Sequence, residues 1–184
     1  MSRRFTVCVF CGARPGTTAR YREAAVHFGM RLGARGLGLV YGGAQVGLMG
    51  ALADAALLAG APVTGVLPEA LSSVEVAHRG LTELLLTDGL HARKARMTAR
   101  ADAFVALPGG FGTLDELFEA LSWQQLGLHD KPVGLLDVDG YFASLLAFLD
   151  TAVEAGFLAA EDRAKVRTRQ TADALLDALG APGG

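Results

Sequence analysis

The stretch Ala103-Phe-Val-Ala-Leu107, continued by Pro108-Gly-Gly-Phe-Gly-Thr-Leu-Asp-Glu116, joins an apolar run to a glycine loop and then to a helical pattern. This order predicts a strand, a turn and a helix. Glycine lets the backbone approach a ligand where a Cβ would collide, and the free N–H groups at the start of a helix favour an anion. Glu116 follows one turn later, within reach of whatever a bound phosphate carries. The stretch therefore predicts a nucleotide or sugar-phosphate site with a built-in carboxylate.

The same alternation of strand and helix continues in both directions along the chain. Uninterrupted apolar runs are typical of strands buried on both faces, and their alternation with helices indicates a parallel sheet covered on both sides. We predict an α/β fold, a doubly wound, Rossmann-like parallel sheet, formed by a single domain over residues 1–184. Ligands of such a sheet lie beyond the carboxyl ends of its strands. The predicted strands are residues 5–11, 37–41, 62–67, 81–86, 103–107, 132–138 and 166–168, and the predicted helices are residues 18–35, 46–59, 91–101, 112–127, 140–155 and 171–179.

The composition limits the classes of protein to consider. With 184 residues, 51% of them hydrophobic, the chain is long enough to bury a sizeable core. Its net charge of −2 argues against binding nucleic acid through bulk electrostatics. No apolar stretch reaches the length of a transmembrane helix, and the N-terminus lacks the features of a signal peptide. We expect a cytoplasmic protein that binds neither nucleic acid nor membranes.

Cys8 and Cys11 occur as Cys-Val-Phe-Cys in the first predicted strand. A redox pair or half of a zinc site is one interpretation, and two buried thiols is the other. Their odd spacing places them on opposite faces of a strand, and no second Cys or His pair follows to complete four zinc ligands. We expect two buried thiols and no metal site.

Glycine-containing loops follow three of the predicted strands, at residues 11–16, 42–50 and 108–116. One such loop is weak evidence, because tight strand-to-helix turns need glycine anyway. Three of them at one edge of a sheet favour ligand binding. Their spacing matches neither the dinucleotide fingerprint GxGxxG with a later acidic residue nor the phosphate-loop pattern GxxxxGK[ST].

Two interpretations of Thr113 and Glu116 remain open at this point. Thr113-x-x-Glu116 has the form of a capping box, in which the Thr hydroxyl and the Glu carboxylate satisfy backbone N–H groups at the start of a helix. Alternatively, Thr113 contacts a phosphate, which takes over those N–H groups and leaves Glu116 free to face the ligand. The first interpretation would account for both residues without any ligand.

The densest cationic run is His91-Ala-Arg-Lys-Ala-Arg-Met97, which continues to Arg100. Arg93, Arg96 and Arg100 fall near one helical face, and a solvated face is the usual explanation of such a run. The run nevertheless ends just before the strand that delivers the glycine loop. An arginine here would supply the charged, bidentate fork that suits phosphate.

Together, His91-x-Arg93-Lys94 and Pro108-Gly-Gly-x-Gly-Thr-x-x-Glu116 resemble the paired motifs of the LOG ("Lonely guy") family. The resemblance spans nearly the whole chain and includes Gly47-Leu-Met-Gly50, Glu75-Val-Ala-His78 and Lys131-Pro-Val-Gly-Leu135. Members of this family are cytokinin riboside 5′-monophosphate phosphoribohydrolases, long mislabelled as lysine decarboxylases. They cleave the N-glycosidic bond of a nucleoside 5′-monophosphate and release the free base and ribose 5-phosphate.

The resemblance implies a homodimer, a small nucleotide as substrate (N6-prenylated AMP or AMP), and a reaction that uses neither a metal nor a cofactor. It implies that Arg93 and Glu116 are the catalytic pair. The residues that it implies in binding the substrate or its phosphate are Gly43, Lys94, Met97, Gly109, Gly110, Gly112 and Thr113.

Three departures from the family pattern bear on substrate preference. The first loop continues as Ala13-Arg14, where the family usually has serine after the glycine. Ala44-Gln45 interrupt the second glycine loop, and Ala92 stands where a glutamate usually precedes the arginine. None of these changes removes a presumed catalytic group.

Three other functions are compatible with parts of the pattern. A non-catalytic nucleotide-binding module would use the same scaffold, and a general AMP nucleosidase would use the same reaction on an unmodified base. Lysine decarboxylation would need a lysine that binds pyridoxal phosphate. The three lysines, Lys94, Lys131 and Lys165, lack the sequence context of such a site.

Overall fold

The computed structural model describes residues 3–72 and 77–183 of the chain. Within these residues, seven strands form one parallel sheet in the order β4-β3-β2-β1-β5-β6-β7. This arrangement confirms the predicted Rossmann-like fold. The strands are β1 (Thr6–Phe10), β2 (Gly38–Tyr41), β3 (Val63–Pro68), β4 (Glu83–Thr87), β5 (Ala103–Ala106), β6 (Val133–Leu136) and β7 (Val166–Arg169).

The helices cover both faces of the sheet and agree with the predicted ones to within three residues at each end. Two short helices, α3 and α7, were not predicted, because four and six residues are too few to display a helical period. No helix in the described ranges is long and apolar enough to cross a membrane. The helices are α1 (Ala19–Ala34), α2 (Gly47–Leu58), α3 (Glu69–Ser72), α4 (Leu90–Arg100), α5 (Phe111–Gln125), α6 (Ala143–Glu154), α7 (Ala160–Lys165) and α8 (Ala172–Ala178).

A few residues named above lie outside the described part of the chain. Glu75, which belongs to the family resemblance, is one of them, together with both ends of the predicted domain. His78, at the end of the same segment, is described and buried, and its Nε2 lies 2.9 Å from Asp54 Oδ1. This contact ties the chain before β4 to helix α2.

The central strands are buried on both faces, as their unbroken apolar sequences predict. Every residue of β2, β5 and β6 is buried, and two clusters of apolar side chains fill the spaces above and below the sheet. Cys8 belongs to one cluster and Cys11 to the other, and both are free, buried thiols. The prediction that these cysteines lie buried on opposite faces of the first strand is confirmed.

The strand order reverses direction at β1, which creates a crevice for a ligand. From β1 the chain proceeds through β2 to β4 on one side, whereas β5 to β7 lie on the other. The connections after β1 and β5 therefore diverge to opposite faces of the sheet. Gly12 N–H donates a hydrogen bond to Pro108 O at 3.0 Å, and a Cβ placed on Gly109 would lie 2.9 Å from Gly12 N. Two of the three predicted glycine loops thus meet at this crevice.

Candidate active site

A cavity of about 660 Å³ opens at the crevice between the ends of β1 and β5. Its walls come from the loops after β1 and β5, from the first turns of α2 and α5, and from single residues of α1, α4 and the segment before α6. The side chains and backbone that line it are those of Cys11, Gly12, Ala13, Arg14, Pro15, Gly16, Tyr21, Leu48, Met49, Arg93, Pro108, Gly109, Gly110, Phe111, Gly112, Thr113, Glu116 and Tyr141.

The first turn of α5 presents unpaired backbone donors to this cavity. The helix begins at Phe111, its N-cap residue is Gly110, and no side chain from the described ranges caps it. The first backbone N–H groups of a helix have no partner within the helix. Because α5 lines the cavity, these donors and the positive end of the helix dipole are available to an anion there.

The capping-box interpretation of Thr113 and Glu116 is wrong. It requires Thr113 to precede the helix, but the helix begins two residues earlier, so that Thr113 is already inside the first turn. Thr113 is buried and packs directly against Gly109, where any Cβ would collide with Thr113 Oγ1. Glu116 is consequently not needed as a cap, and its side chain points elsewhere.

Glu116 forms a buried ion pair with Arg93 of α4. Arg93 Nη1 lies 2.8 Å from Glu116 Oε1, and the residue Glu116 is only 9% exposed. Oε1 is itself buried and receives no well-directed hydrogen bond from the described residues. Glu116 also lines the cavity, so the ion pair forms part of its wall.

Two further contacts, made by Nε and Nη2, fix the guanidinium of Arg93. Its Nε donates a hydrogen bond to Val66 O of β3 at 3.0 Å. Its Nη2 occupies the space beside Gly42, where a Cβ would collide with it. A glycine at the end of β2 thus makes room for the arginine. The second glycine loop therefore contributes to the site by positioning Arg93, although Gly42 does not itself line the cavity.

Burial and charge act in opposite directions on Glu116. Removal from water raises the pKa of its carboxyl above the ordinary value of 4.5, while the positive charge of Arg93 opposes that rise. Of the two, burial has the larger effect. The pair thus combines a carboxylate of increased basicity with a cation that favours its ionised form.

Six of the nine residues that the family resemblance implicates meet at this cavity: Arg93, Gly109, Gly110, Gly112, Thr113 and Glu116. Lys94 does not line it, and its Nζ lies 2.7 Å from Glu119 Oε2 and 3.1 Å from Asp115 Oδ2 of α5. Met97 is 1% exposed and packs in the core. Gly43 has a φ of 77° and packs against β3, where a Cβ would lie 3.3 Å from Val66 N. Direct roles for these three residues stay predictions.

The basic run of α4 divides into three environments. Arg93 is turned inward, Arg96 is exposed, and Arg100 pairs with Glu83 of β4 at 3.4 Å. The solvated-face interpretation therefore holds for part of the run only, and one arginine of it faces the cavity.

Two tyrosines line the cavity to which the sequence assigned no role, although Asp139-Gly-Tyr141 belongs to the family resemblance. The hydroxyl of Tyr141 donates a hydrogen bond to Gly109 O at 2.6 Å, and the ring of Tyr21 meets Tyr141 edge to face at 5.6 Å. Tyr21 also packs against Gly16, whose φ of 78° suits glycine. The two rings thus connect the loop after β1 to the loop after β5. The turn at Asp139-Gly140 that precedes Tyr141 was the available signal, but it does not reveal what the hydroxyl contacts.

We expect Tyr141→Phe to weaken binding of the phosphate that the sequence predicts for this cavity, without stopping turnover. The change removes the hydrogen bond that fixes the Gly109 peptide, and one such bond is worth about 0.5–1.5 kcal/mol. KM for a nucleotide substrate should rise by roughly two- to tenfold, while kcat changes less than twofold. Tyr21→Phe is the matched control, because the Tyr21 hydroxyl has no hydrogen-bond partner within the described ranges. A fall in kcat with unchanged KM would contradict this role.

Comparison with known proteins identifies relatives along almost the entire chain. A family model described as "Possible lysine decarboxylase" matches residues 49–179. A probable cytokinin riboside 5′-monophosphate phosphoribohydrolase of Oryza sativa subsp. japonica is 48% identical over 178 residues, covering 97% of this chain and 84% of that protein. A cytokinin riboside 5′-monophosphate phosphoribohydrolase of Arabidopsis thaliana is 47% identical over 173 residues, covering 94% of this chain and 80% of that protein.

A solved structure supports the fold independently. The molybdenum cofactor carrier protein of Chlamydomonas reinhardtii superimposes with a TM-score of 0.73 over 97% of both chains, at 24% sequence identity. At this identity the likeness establishes the shared fold alone.

The lysines of this chain do not suit the decarboxylase description of the family model. Lys94 is paired with two carboxylates of α5. Lys131 Nζ donates to Thr98 O at 2.6 Å, and Lys165 Nζ lies 2.6 Å from Asp162 Oδ1. All three lie within the described residues, and none lines the cavity. A Schiff-base lysine would have to reach the cofactor, and these three have other partners.

Proposed function

The chain belongs to the LOG family of cytokinin riboside 5′-monophosphate phosphoribohydrolases, and we propose that it hydrolyses the N-glycosidic bond of adenosine 5′-monophosphate carrying an N6 substituent. The products are the free base and ribose 5-phosphate. The observation that carries the proposal is the buried Oε1 of Glu116, which lies beside Arg93 and has no aligned donor among the described residues. This acceptor shares a cavity with an uncapped helix N-terminus.

The first part of the mechanism is the anchoring of the phosphate. The unpaired N–H groups of α5 and the hydroxyl of Thr113 surround one end of the cavity, and they suit a phosphate in both charge and geometry. Glu116 lies one helical turn further along α5, so that a ribose extending from this phosphate approaches the carboxylate. Binding energy gained at the phosphate then positions the glycosidic bond.

The second part is cleavage of the bond between C1′ of the ribose and N9 of the base. As this bond breaks, positive charge develops on the sugar, and the carboxylate of Glu116 stabilises it. A water molecule forms the new bond to C1′ and gives its proton to Glu116 as general base. The bonding electrons leave with the base, which takes up a proton from solvent, and Glu116 returns its proton to solvent to regenerate the carboxylate. Arg93 holds Glu116 ionised and offers positive charge to the phosphate or to the departing base.

Apolar side chains in the wall of the cavity favour an apolar substituent on the base. Leu48 and Met49 line it from α2, and the ring of Phe111 stands at its edge, 95% exposed. An exposed aromatic side chain beside a binding cavity gains free energy when a ligand covers it. A prenyl group on N6 would provide such a cover, which unmodified AMP lacks.

The proposal extends to a homodimer in the cytoplasm. The family resemblance implies the dimer, and exposed apolar side chains on α5, on the loop after it and on α6 support a contact between subunits, among them Leu126, Leu128 and Phe148. Two free thiols agree with a reducing compartment. Light scattering coupled to size-exclusion chromatography tests the assembly.

The test of the proposed reaction is chromatography of the products formed from AMP and from N6-isopentenyl-AMP. We expect the purified protein to release free base and ribose 5-phosphate, faster from the prenylated nucleotide. Faster release from AMP would instead identify a general AMP nucleosidase. Binding of both nucleotides without release of base would identify a non-catalytic nucleotide-binding module.

A further inference from the structure

Arg14 is a cation of the cavity that the mechanism above does not use. It lies in the loop after β1, lines the cavity and is exposed. Seven other arginines of the described chain form ion pairs with carboxylates. Arg14 has neither an ion pair nor a side-chain hydrogen bond within the described residues. Its charge is therefore available to a ligand.

The charge balance of the cavity makes this availability significant. Among the residues that line it, the carboxylate of Glu116 is offset by Arg93 at 2.8 Å. Cys11 also lines the cavity, but burial raises the pKa of its thiol far above neutral pH, so it contributes no charge. Arg14 thus leaves the cavity with one uncompensated positive charge. A phosphomonoester carries a charge of about −1.5 to −2 at neutral pH, and the partial positive charge of about +0.5 at one helix N-terminus offsets only part of it.

The backbone of Arg14 is fixed close to the phosphate end of the cavity. A Cβ placed on Gly12 would lie 3.1 Å from Arg14 O and 3.4 Å from the Cα of Gly109, so the two loops adjoin at this point. On its other side, the peptide between Ala13 and Arg14 packs against Gly47 at the start of α2, with no room for a Cβ. The base of the side chain is thus anchored beside the first turn of α5, while its guanidinium is free.

We propose that Arg14 binds the phosphate of the substrate and makes this site selective for phosphomonoesters over the uncharged nucleoside. The inference rests on the proposed function, because it assigns the phosphate to the same cavity. A guanidinium gives two parallel hydrogen bonds to a phosphate in addition to its charge, which suits Arg14 to this role.

Calorimetric titration with AMP, ribose 5-phosphate and adenosine tests this role in Arg14→Ser and Arg14→Lys. The matched control is Arg22→Ser, since Arg22 is exposed on α1, lies outside the cavity lining and has no ion pair in the described part of the chain. We expect Arg14→Ser to raise the Kd of both phosphate ligands by about ten- to a hundredfold, the range for a lost hydrogen bond to a charged group. For both phosphate ligands, the Kd of Arg14→Lys should lie between those of Arg14→Ser and the unaltered protein. The Kd of adenosine should change less than twofold. The affinity of Arg14→Ser for AMP should also depend less on salt than that of the unaltered protein.

Two results would overturn the proposal for Arg14. One is an affinity for AMP in Arg14→Ser equal to that of Arg22→Ser. The other is an equal loss of affinity for adenosine and for AMP, which would place Arg14 against the nucleoside. Base release by the unaltered protein is measured in parallel: binding of AMP without release rejects the proposed reaction and leaves the phosphate affinities to decide on Arg14. If the unaltered protein binds neither AMP nor ribose 5-phosphate, both proposals are wrong.

Discussion

Glu116→Gln is expected to lower kcat by about 10²–10⁴ while KM for AMP stays within about threefold. Gln keeps the size of the side chain but removes the negative charge that stabilises the developing positive charge on the ribose. It also removes the base that accepts a proton from water. The phosphate contacts at the first turn of α5 are untouched, so the loss should appear in kcat rather than in binding.

Asp115→Asn is the matched control for Glu116→Gln. Asp115 is the preceding residue of α5, is exposed and pairs with Lys94 at 3.1 Å, outside the cavity. Its amide variant should keep kcat within twofold. Thermal unfolding of both variants establishes that the fold is intact. Full turnover by Glu116→Gln would exclude the carboxylate from the chemistry.

Arg93→Met is expected to reduce both activity and stability. Loss of one fixed donor to a developing charge typically costs about 10²–10³ in kcat. The variant also leaves Glu116 buried without its cation, and removing one partner of a buried ion pair costs about 3–5 kcal/mol. Arg96→Met is the matched control, because Arg96 is exposed on the same helix and forms no ion pair in the described ranges. Arg96→Met should change neither kcat nor the free energy of unfolding appreciably.

The pH dependence of Arg93→Met separates the electrostatic role of Arg93 from simple packing. Burial raises the pKa of Glu116 and the charge of Arg93 opposes the rise, so the variant should have a still higher Glu116 pKa. Because Glu116 acts ionised, kcat at saturating AMP should begin to fall at a higher pH in the variant as the solution is acidified.

Stability measured against pH provides a second readout of the same change. A carboxyl whose pKa is higher in the folded than in the unfolded state lowers the free energy of unfolding at pH values above its folded-state pKa. This loss of stability disappears as the pH falls to the pKa of the unfolded state. The stability deficit of Arg93→Met, followed by urea unfolding, should therefore be larger at pH 8 than at pH 5. The double variant Arg93→Met/Glu116→Gln should regain part of the lost stability. A deficit that is the same at both pH values would indicate lost packing instead.

Strands, helices and the position of the glycine loops are predictable from this sequence because they depend on local patterns. The runs that form β1, β2 and β5 are apolar without interruption, and each ends at a glycine turn. Rules of strand order then bring the ends of β1 and β5 to one crevice. The sequence thus predicts which loops build the cavity.

Contacts between side chains from different helices are not predictable in this way. Arg93 and Lys94 are neighbours in the sequence, but successive residues of a helix point about 100° apart. Arg93 therefore reaches Glu116 in the cavity, whereas Lys94 reaches Glu119, one turn further along α5. Which of the two enters the site depends on how α4 packs beside α5. The capping-box interpretation failed for a related reason, since a shift of three residues in the start of α5 changes what Glu116 contacts.

The central position of β1 has a consequence for the protein while it is being made on the ribosome. One edge of β1 pairs with β2, which follows soon after it, but the other pairs with β5, Ala103–Ala106. At a synthesis rate of about 5–20 residues per second, that second edge stays unpaired for on the order of ten seconds. Residues 7–10, which form it, are all apolar, and an open edge of this kind is a template for pairing with another chain. The strand order that creates a crevice for the ligand therefore exposes the nascent chain to aggregation, and chains interrupted before β5 should be its main source.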